Sequence, residues 1–369
     1  MAAHAVDARC FGLALDPADL RRRACGDWLP AARLGSRPCQ TGRHRRDGHR
    51  TRGTAAGPRR RGEASGAGRL HVSHRHRRAR DIRLPVGLHN EDQDIVQARI
   101  AAFRSAGRET IEIHADSRPL AAELSSTAAF LELGAASGAH VHIVHFSDAR
   151  GYDLVSRYRA SGVRATAELC VHYLHFDAAR DSQRLGARMK VNPPIRAGAL
   201  PGLWRAFETG AVEFVSSDHS SWPVSNKLAA SIFDAGAGMT GLETLAPSFG
   251  TDLRRRGYDP LPLMCRYLAE KPARFFGIWP RKGALTVGAD ADVVIIRDQA
   301  RRFDASQTQD ELNWSAYDGE IFDLTVVATY VRGVPVWDDG RIVGKPGHGR
   351  FIPRTGPSIF APPSAQVVT

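Results

Sequence analysis

From Leu84 onwards the chain alternates between short apolar runs that are rich in β-formers and longer segments in which apolar residues recur with helical spacing. These patterns predict helices over 121–137, 151–161 and 200–209, and strands over 140–147, 163–170 and 212–217. Strands separated by helices indicate βαβ units with right-handed crossovers and a parallel sheet. The pattern therefore predicts an α/β fold, either a doubly wound sheet or a (β/α) barrel.

The pattern changes again after about Gly283, where every predicted element is a short strand. The predicted strands are 292–296, 324–332, 334–337 and 341–343. Turn residues separate the last three of these strands: Arg332-Gly333 lies before the strand 334–337, and Asp338-Asp339-Gly340 lies after it. We therefore predict an α/β portion over 84–282, a small β-domain over 283–354 and a Pro-rich tail over 355–369.

The segment 1–83 differs from the rest of the chain in charge and in apolar content. Residues 1–80 contain 19 Arg, no Lys and 6 acidic residues, a net charge of +13, whereas the other 289 residues contain 32 basic and 33 acidic residues. With few large apolar side chains, the segment cannot bury enough surface to offset its ordering entropy. We expect it to be disordered, or to be non-native sequence from a wrong reading frame or start. A nucleic-acid-binding arm and a targeting segment are the alternatives, and the nearly neutral body argues against nucleic acid as a partner.

The five cysteines show no CxxC pair and no regular spacing. They indicate reduced thiols, and hence a cytoplasmic protein, rather than a disulfide framework. No apolar run is long enough to cross a bilayer, so a membrane is not an expected partner.

Three polar residues lie at or just beyond the ends of predicted strands: His89, His145 and Asp218. In a (β/α) barrel the carboxyl ends of the strands converge on one mouth, where the active site lies. Two imidazoles and a carboxylate suit Zn²⁺ or a similar ion, and the carboxylate could also accept a proton from water. Each has an ordinary structural explanation too, because a lone His is usually structural and Asp218 could cap a helix. The neighbouring His219 could support a metal ligand or be purely structural.

The segments around these residues resemble the cyclic amidohydrolases, the family of dihydropyrimidinases, hydantoinases, allantoinases and dihydroorotases. The resemblance covers about 270 residues in unbroken order. It is carried by GLHNEDQDI, IEIHADSRPLAAE, HIVHFSDARG, AELCVHYL, MKVNPPIR, SSDHS, GMTGLET and the C-terminal VRGVPVWDDGRIVGKPGHGRFIPR.

The resemblance implies an incomplete TIM-type (β/α)8 barrel followed by part of a small β-sandwich. It implies that His89, His145 and Asp218 are metal ligands and that Asp218 is also the general base. It further implies that Asn192, Gly241 and Leu242 bind the substrate, a small cyclic amide whose C–N bond is hydrolysed. In this family the cofactor is a pair of divalent ions, most often zinc, and the enzymes are commonly homotetramers.

The sequence departs from the family at the remaining ligands, a His-x-His pair and a carboxylated lysine. The first lysine of the chain is Lys190, and His74-Arg75-His76 lies too close to His89, among arginines, to be the missing pair. With three of six expected ligands, we expect low or no hydrolase activity from this chain. The alternative is a non-catalytic, dihydropyrimidinase-like scaffold. The identity of the cyclic amide is left open by the sequence.

Overall fold

The computed structural model describes residues 84–356. The predictions for segment 1–83 and for most of the Pro-rich tail therefore lie outside the described residues.

Within the described part, short parallel strands form one curved layer. Strand β1 (Pro85–Leu88) pairs with β2 (His140–Ile143), and β2 pairs with β3 (Ala165–Ala167). Strand β4 (Leu169–Cys170) pairs with β5 (Val215–Ser216), again in parallel. Since all five run in the same direction, the segments that follow them lie at one edge of the layer.

The predicted strand over 163–170 is divided into β3 and β4 because its pairing partner changes at Glu168. The backbone N–H of Glu168 donates to the carbonyl of Ile143 in β2, whereas that of Leu169 donates to Phe214, next to β5. One extended segment thus bridges two neighbours, which makes β1, β2, β3–β4 and β5 successive strands of a barrel wall.

Helices connect the strands and cover one face of this layer, and their bounds are close to those predicted. The α-helices are α1 (Gln93–Ser105), α2 (His114–Ser117), α3 (Leu120–Ser137), α4 (Ala149–Ala160), α5 (Val171–His175), α6 (Ala178–Leu185), α7 (Leu200–Glu208), α8 (Val224–Lys227), α9 (Leu245–Arg255), α10 (Pro260–Cys265) and α11 (Lys271–Phe275). Single turns of 3₁₀-helix occupy Ile111–Ile113, Gly186–Met189 and Ala305–Gln307, and a π-helical turn occupies Arg266–Glu270.

Aspartates fix where several of these helices begin. The side chain of Asp92 accepts hydrogen bonds from two N–H groups of the first turn of α1, and Asp148 and Asp177 do the same for single N–H groups of α4 and α6. These first-turn N–H groups have no partner inside the helix, so each cap stabilises its helix by about 1 kcal/mol.

The two faces of β2 differ in chemistry because its side chains alternate. Val141 and Ile143 are fully buried in the main apolar core. His140 and His142 lie on the other face, where a ring nitrogen of each is 2.8 and 2.9 Å from the hydroxyl oxygen of Thr166 in β3. The interior of the barrel wall therefore contains a polar chain, which the apolar pattern alone did not predict.

The remaining strands form an antiparallel sheet in the order β6 (Val293–Arg302), β7 (Ile321–Val331), β8 (Val334–Asp338) and β9 (Arg341–Ile342). The turn between β7 and β8 has positive φ at both Arg332 (51°) and Gly333 (75°), as a tight hairpin requires. The predicted strands and turns of this region are thus confirmed.

Candidate metal centre and active site

His89 and His145 come together at the carboxyl edge of the parallel layer. His89 directly follows β1, and His145 lies two residues after β2. Nδ1 of His89 is 3.1 Å from Nε2 of His145, and the two rings meet edge to face with centroids 4.9 Å apart. Fifty-six residues of sequence separate the two side chains, so the parallel pairing of β1 and β2 positions them.

A buried carboxylate orients the His89 ring. Nε2 of His89 lies 3.3 Å from a carboxylate oxygen of Glu91, and the same oxygen accepts a short hydrogen bond from Arg118. A carboxylate can only accept, so Nε2 carries the proton and Nδ1 presents its lone pair towards His145. A second buried carboxylate, that of Glu123, pairs with Arg196 and holds the segment after β2. It accepts hydrogen bonds from the backbone N–H of Ser147 at 2.9 Å and from the Ser147 hydroxyl at 2.5 Å.

His145 is buried and neutral. Burial lowers its pKa well below the usual value, and the neighbouring His89 and His172 lower it further. Its Nδ1 has no hydrogen-bond partner among the described residues. A neutral imidazole can carry its proton on Nδ1 and present the lone pair of Nε2 to a metal ion.

Asp218 lies two residues after β5, on the same edge of the layer. No helix begins at Asp218, so a helix-capping role does not apply. Its φ of +44° is unusual for a residue other than glycine and turns the chain sharply after the strand. Its carboxylate, the thiol of Cys170 and an imidazole nitrogen of His172 all lie within 4.8 Å of one another.

Gly241 and Leu242 pack against the segment that carries Asp218. Their backbone N–H groups donate to Nδ1 of His219 at 3.1 and 3.3 Å, so the imidazole of His219 fixes this loop. A Cβ at position 241 would lie 2.9 Å from the carbonyl oxygen of Ser217, which explains the need for glycine there. Both N–H groups are thus already engaged within the protein.

Asn192 lies in the loop beside this edge, next to Pro193, whose carbonyl oxygen accepts a 2.6 Å hydrogen bond from the hydroxyl of Tyr173. Oδ1 of Asn192 is buried and has no hydrogen-bond partner among the described residues. A buried, unsatisfied acceptor is costly unless a ligand donates to it.

The geometry at His89 and His145 fits a divalent ion. Two nitrogen ligands of one tetrahedral zinc ion lie about 3.3 Å apart, given Zn–N distances near 2.0–2.1 Å. The observed 3.1 Å is close to that separation, and the pairing of Glu91 with Nε2 leaves Nδ1 of His89 available. Carboxylate support of this kind is usual for histidines that bind metals.

Sequence reasoning missed several residues that the structure brings to this edge. Glu91, Arg118, Cys170 and His172 occurred in the quoted motifs, but no role was given to them. The sequence did contain a signal for Cys170 and His172, because they lie where a strand ends and the next helix begins, which is where the site residues of a barrel lie. The Glu91–Arg118 pair joins residues 27 apart and could not be read from spacing.

The fold and this edge define a class of protein: an α/β barrel with a histidine and carboxylate site at the carboxyl ends of its strands. No family model matches the chain. The allantoinase of Deinococcus radiodurans is 34% identical over 271 residues, which cover 73% of this chain and 59% of that protein. The L-hydantoinase of Paenarthrobacter aurescens is 32% identical over 271 residues, which cover 72% of this chain and 59% of that protein.

Solved structures agree with the sequence relatives. The L-hydantoinase (dihydropyrimidinase) from Arthrobacter aurescens superposes with a TM-score of 0.74 and 30% identity, over 77% of this chain and 63% of that one. These relatives support the predicted resemblance to the cyclic amidohydrolase family, and the predicted barrel-type fold is confirmed. It spans about three fifths of the length of the relatives that it matches.

Within residues 84–356, no helix is both long and apolar enough to cross a bilayer.

Proposed function

We propose that this chain is a metal-dependent hydrolase of cyclic amides, acting on a C–N bond of a hydantoin, dihydropyrimidine or allantoin-type ring. The observation that carries the proposal is the convergence of His89 Nδ1 and His145 Nε2, at 3.1 Å, on the edge that also holds Asp218. Zinc is the ion we propose, because imidazole and carboxylate together suit it.

In this proposal His89 and His145 hold the ion, and Glu91 keeps His89 in the required tautomer. A divalent ion held there would polarise the ring carbonyl and lower the pKa of water. Asp218 accepts the proton of the attacking water and delivers it to the leaving ring nitrogen. The water oxygen forms a bond to the carbonyl carbon as the C–N bond breaks, and the leaving nitrogen keeps the proton that Asp218 delivers. The second water proton is released when the new carboxylic acid ionises, so the product of each of these rings is a ring-opened ureido acid.

Asn192 is the proposed substrate contact with the clearest support. Its buried, unsatisfied Oδ1 can accept a hydrogen bond from a ring N–H. Gly241 and Leu242 would act through their carbonyl groups or by shape, because their N–H groups bind His219. A homo-oligomer and a cytoplasmic location remain predictions.

The test uses the full chain, loaded with zinc, and measures ring opening of hydantoin, dihydrouracil and allantoin. We expect turnover below that of relatives that carry all six ligands, because three of the family's six expected ligands are present here. Asp218→Asn should reduce the rate by about 10²- to 10⁴-fold, as expected for loss of a general base. Cys265→Ser, which alters an exposed thiol, serves as the control and should keep the wild-type rate.

Zinc bound by the wild-type chain with no turnover of any ring would contradict the enzymatic proposal and favour the scaffold alternative. Turnover that Asp218→Asn leaves unchanged would contradict the assigned base.

A further inference from the structure

We propose that Cys170, His172 and Asp218 form a metal position of their own, with a thiolate ligand, beside the His89–His145 pair. The ligand atoms of the three residues lie within 4.8 Å of one another. It is the one group of three or more such side chains that the residues 84–356 bring within this distance.

The arrangement follows from strand pairing. Cys170 is the last residue of β4 and is paired with Ser216 of β5, so the segments after both strands leave the layer side by side. His172 lies in the first turn of α5, which begins directly after β4. Asp218 lies two residues beyond β5. Forty-eight residues of chain thus separate Cys170 from Asp218, but the sheet brings them together.

The His172 ring supplies an independent observation that indicates a ligand. The side chain is fully buried, and neither ring nitrogen has a hydrogen-bond partner of acceptable geometry among the described residues. A buried imidazole with both nitrogens unsatisfied costs free energy unless an ion or a hydrogen-bonding group engages it.

The spacing is compatible with one tetrahedral ion. Around zinc, with Zn–S near 2.3 Å and Zn–N near 2.0–2.1 Å, ligand atoms lie about 3.3–3.6 Å apart. The present atoms lie within 4.8 Å, so a movement of about 1 Å closes the site. Asp218 is the least buried of the three and can move without disturbing the apolar core.

The donor set also selects the ion. A thiolate with an imidazole favours zinc, cobalt or cadmium, whereas magnesium and calcium prefer oxygen ligands. Binding converts the Cys170 thiol to a thiolate and releases one proton to solvent. The hydroxyl of Ser216, 3.5 Å from Sγ, is placed to donate to that thiolate.

The proposal shares Asp218 with the proposed function but does not require hydrolysis. Metal bound by Cys170 gives a spectroscopic signal that metal bound only by His89 and His145 lacks. The two ideas can therefore fail separately.

The experiment titrates Co²⁺ into the full chain in which Cys10, Cys25, Cys39 and Cys265 are replaced by serine, so that Cys170 is the sole thiol. We expect a near-ultraviolet thiolate-to-cobalt charge-transfer band that saturates at one ion per chain. Cys170→Ser should abolish the band, and His172→Asn should weaken Co²⁺ binding by at least about 100-fold, because a direct ligand contributes more than the 10- to 100-fold of a supporting group. His89→Ala, the matched change at the neighbouring pair, should leave the band in place.

Circular dichroism and a thermal melt establish that each variant is folded. If Cys170→Ser does not fold, protection of Cys170 from alkylation by added Zn²⁺, but not Mg²⁺, replaces it as the readout. Absence of the charge-transfer band in the folded sole-thiol chain would overturn the proposal. So would a band that disappears in His89→Ala, because the thiolate would then belong to the first ion.

Discussion

The buried histidines predict that this protein loses stability as the pH falls below about 6.5. Burial lowers the pKa of His114 to about 3, of His140 to about 2 and of His142 to about 3. Nearby cations contribute less to the lowered pKa of His114, and His142 and nearby arginines contribute less to that of His140. In the unfolded chain each takes up a proton near its usual value of about 6.5. Since the unfolded state then binds more protons, the free energy of unfolding falls with pH from about 6.5 towards 3.

The expected loss in the free energy of unfolding requires only that the pKa values of these histidines in the folded state lie below the final pH. At pH 5.0, each histidine that stays neutral costs about 2 kcal/mol, so three cost about 6 kcal/mol. Burial raises the pKa of Glu123 and Glu213, which therefore bind protons earlier in the folded state and offset part of this loss. We expect a net fall of at least about 3 kcal/mol, a large share of an ordinary stability of about 5–15 kcal/mol.

Urea unfolding of the full chain at pH 7.5, 6.5, 5.5 and 5.0 measures this fall directly, and its slope gives the number of protons taken up on unfolding. His114→Gln and His142→Gln should each remove about one proton from that slope, and the double variant about two. A free energy of unfolding that is constant between pH 6.5 and 5.0 would refute the reasoning. Single variants that keep the wild-type slope would refute the assignment to these residues.

Three further predictions follow from single contacts. Arg118→Leu leaves the carboxylate of Glu91 buried without its cation, which should lower the free energy of unfolding by about 3–5 kcal/mol in chemical denaturation. Lys227→Met removes the donor to three backbone carbonyls at 2.6–2.8 Å and should cost about 3 kcal/mol, seen as a lower Tm. Gly241→Ala forces the new Cβ against the carbonyl of Ser217, so we expect a loss of about 1–3 kcal/mol and weaker zinc binding in a titration, because Asp218 is adjacent.

Part of the fold could be predicted from the apolar pattern because helices such as α7 bury one apolar face and the parallel strands are short apolar runs. The helix predicted over 121–137 is Leu120–Ser137, which starts after Pro119 and ends at Gly138 with φ of 67°. The division of 163–170 into two strands could not be predicted, since it results from a change of partner between β2 and β5. Pairing is a tertiary property, and no local pattern of residues specifies it.

The candidate site was predictable where a residue follows a strand, as His89, His145 and Asp218 do. The supporting contacts were not, because they join distant segments: Glu91 with Arg118, and Cys170 with Asp218. Position at a strand end indicates that a side chain faces the mouth of a barrel, but it does not indicate which neighbour lies within bonding distance.

The distribution of unsatisfied polar atoms bears on the choice between an enzyme and a scaffold. Among residues 84–356, five of the eleven buried side-chain atoms without a hydrogen-bond partner belong to residues that closely follow a parallel strand: Asn90, Glu91, His145 and both nitrogens of His172. Each such atom costs about 1–3 kcal/mol if nothing engages it. A scaffold would gain stability by replacing these side chains with apolar ones of similar volume, because it has no ligand to satisfy them. Their concentration at one edge of the barrel wall therefore favours a site that binds an ion and a polar ring over a surface that serves only for assembly.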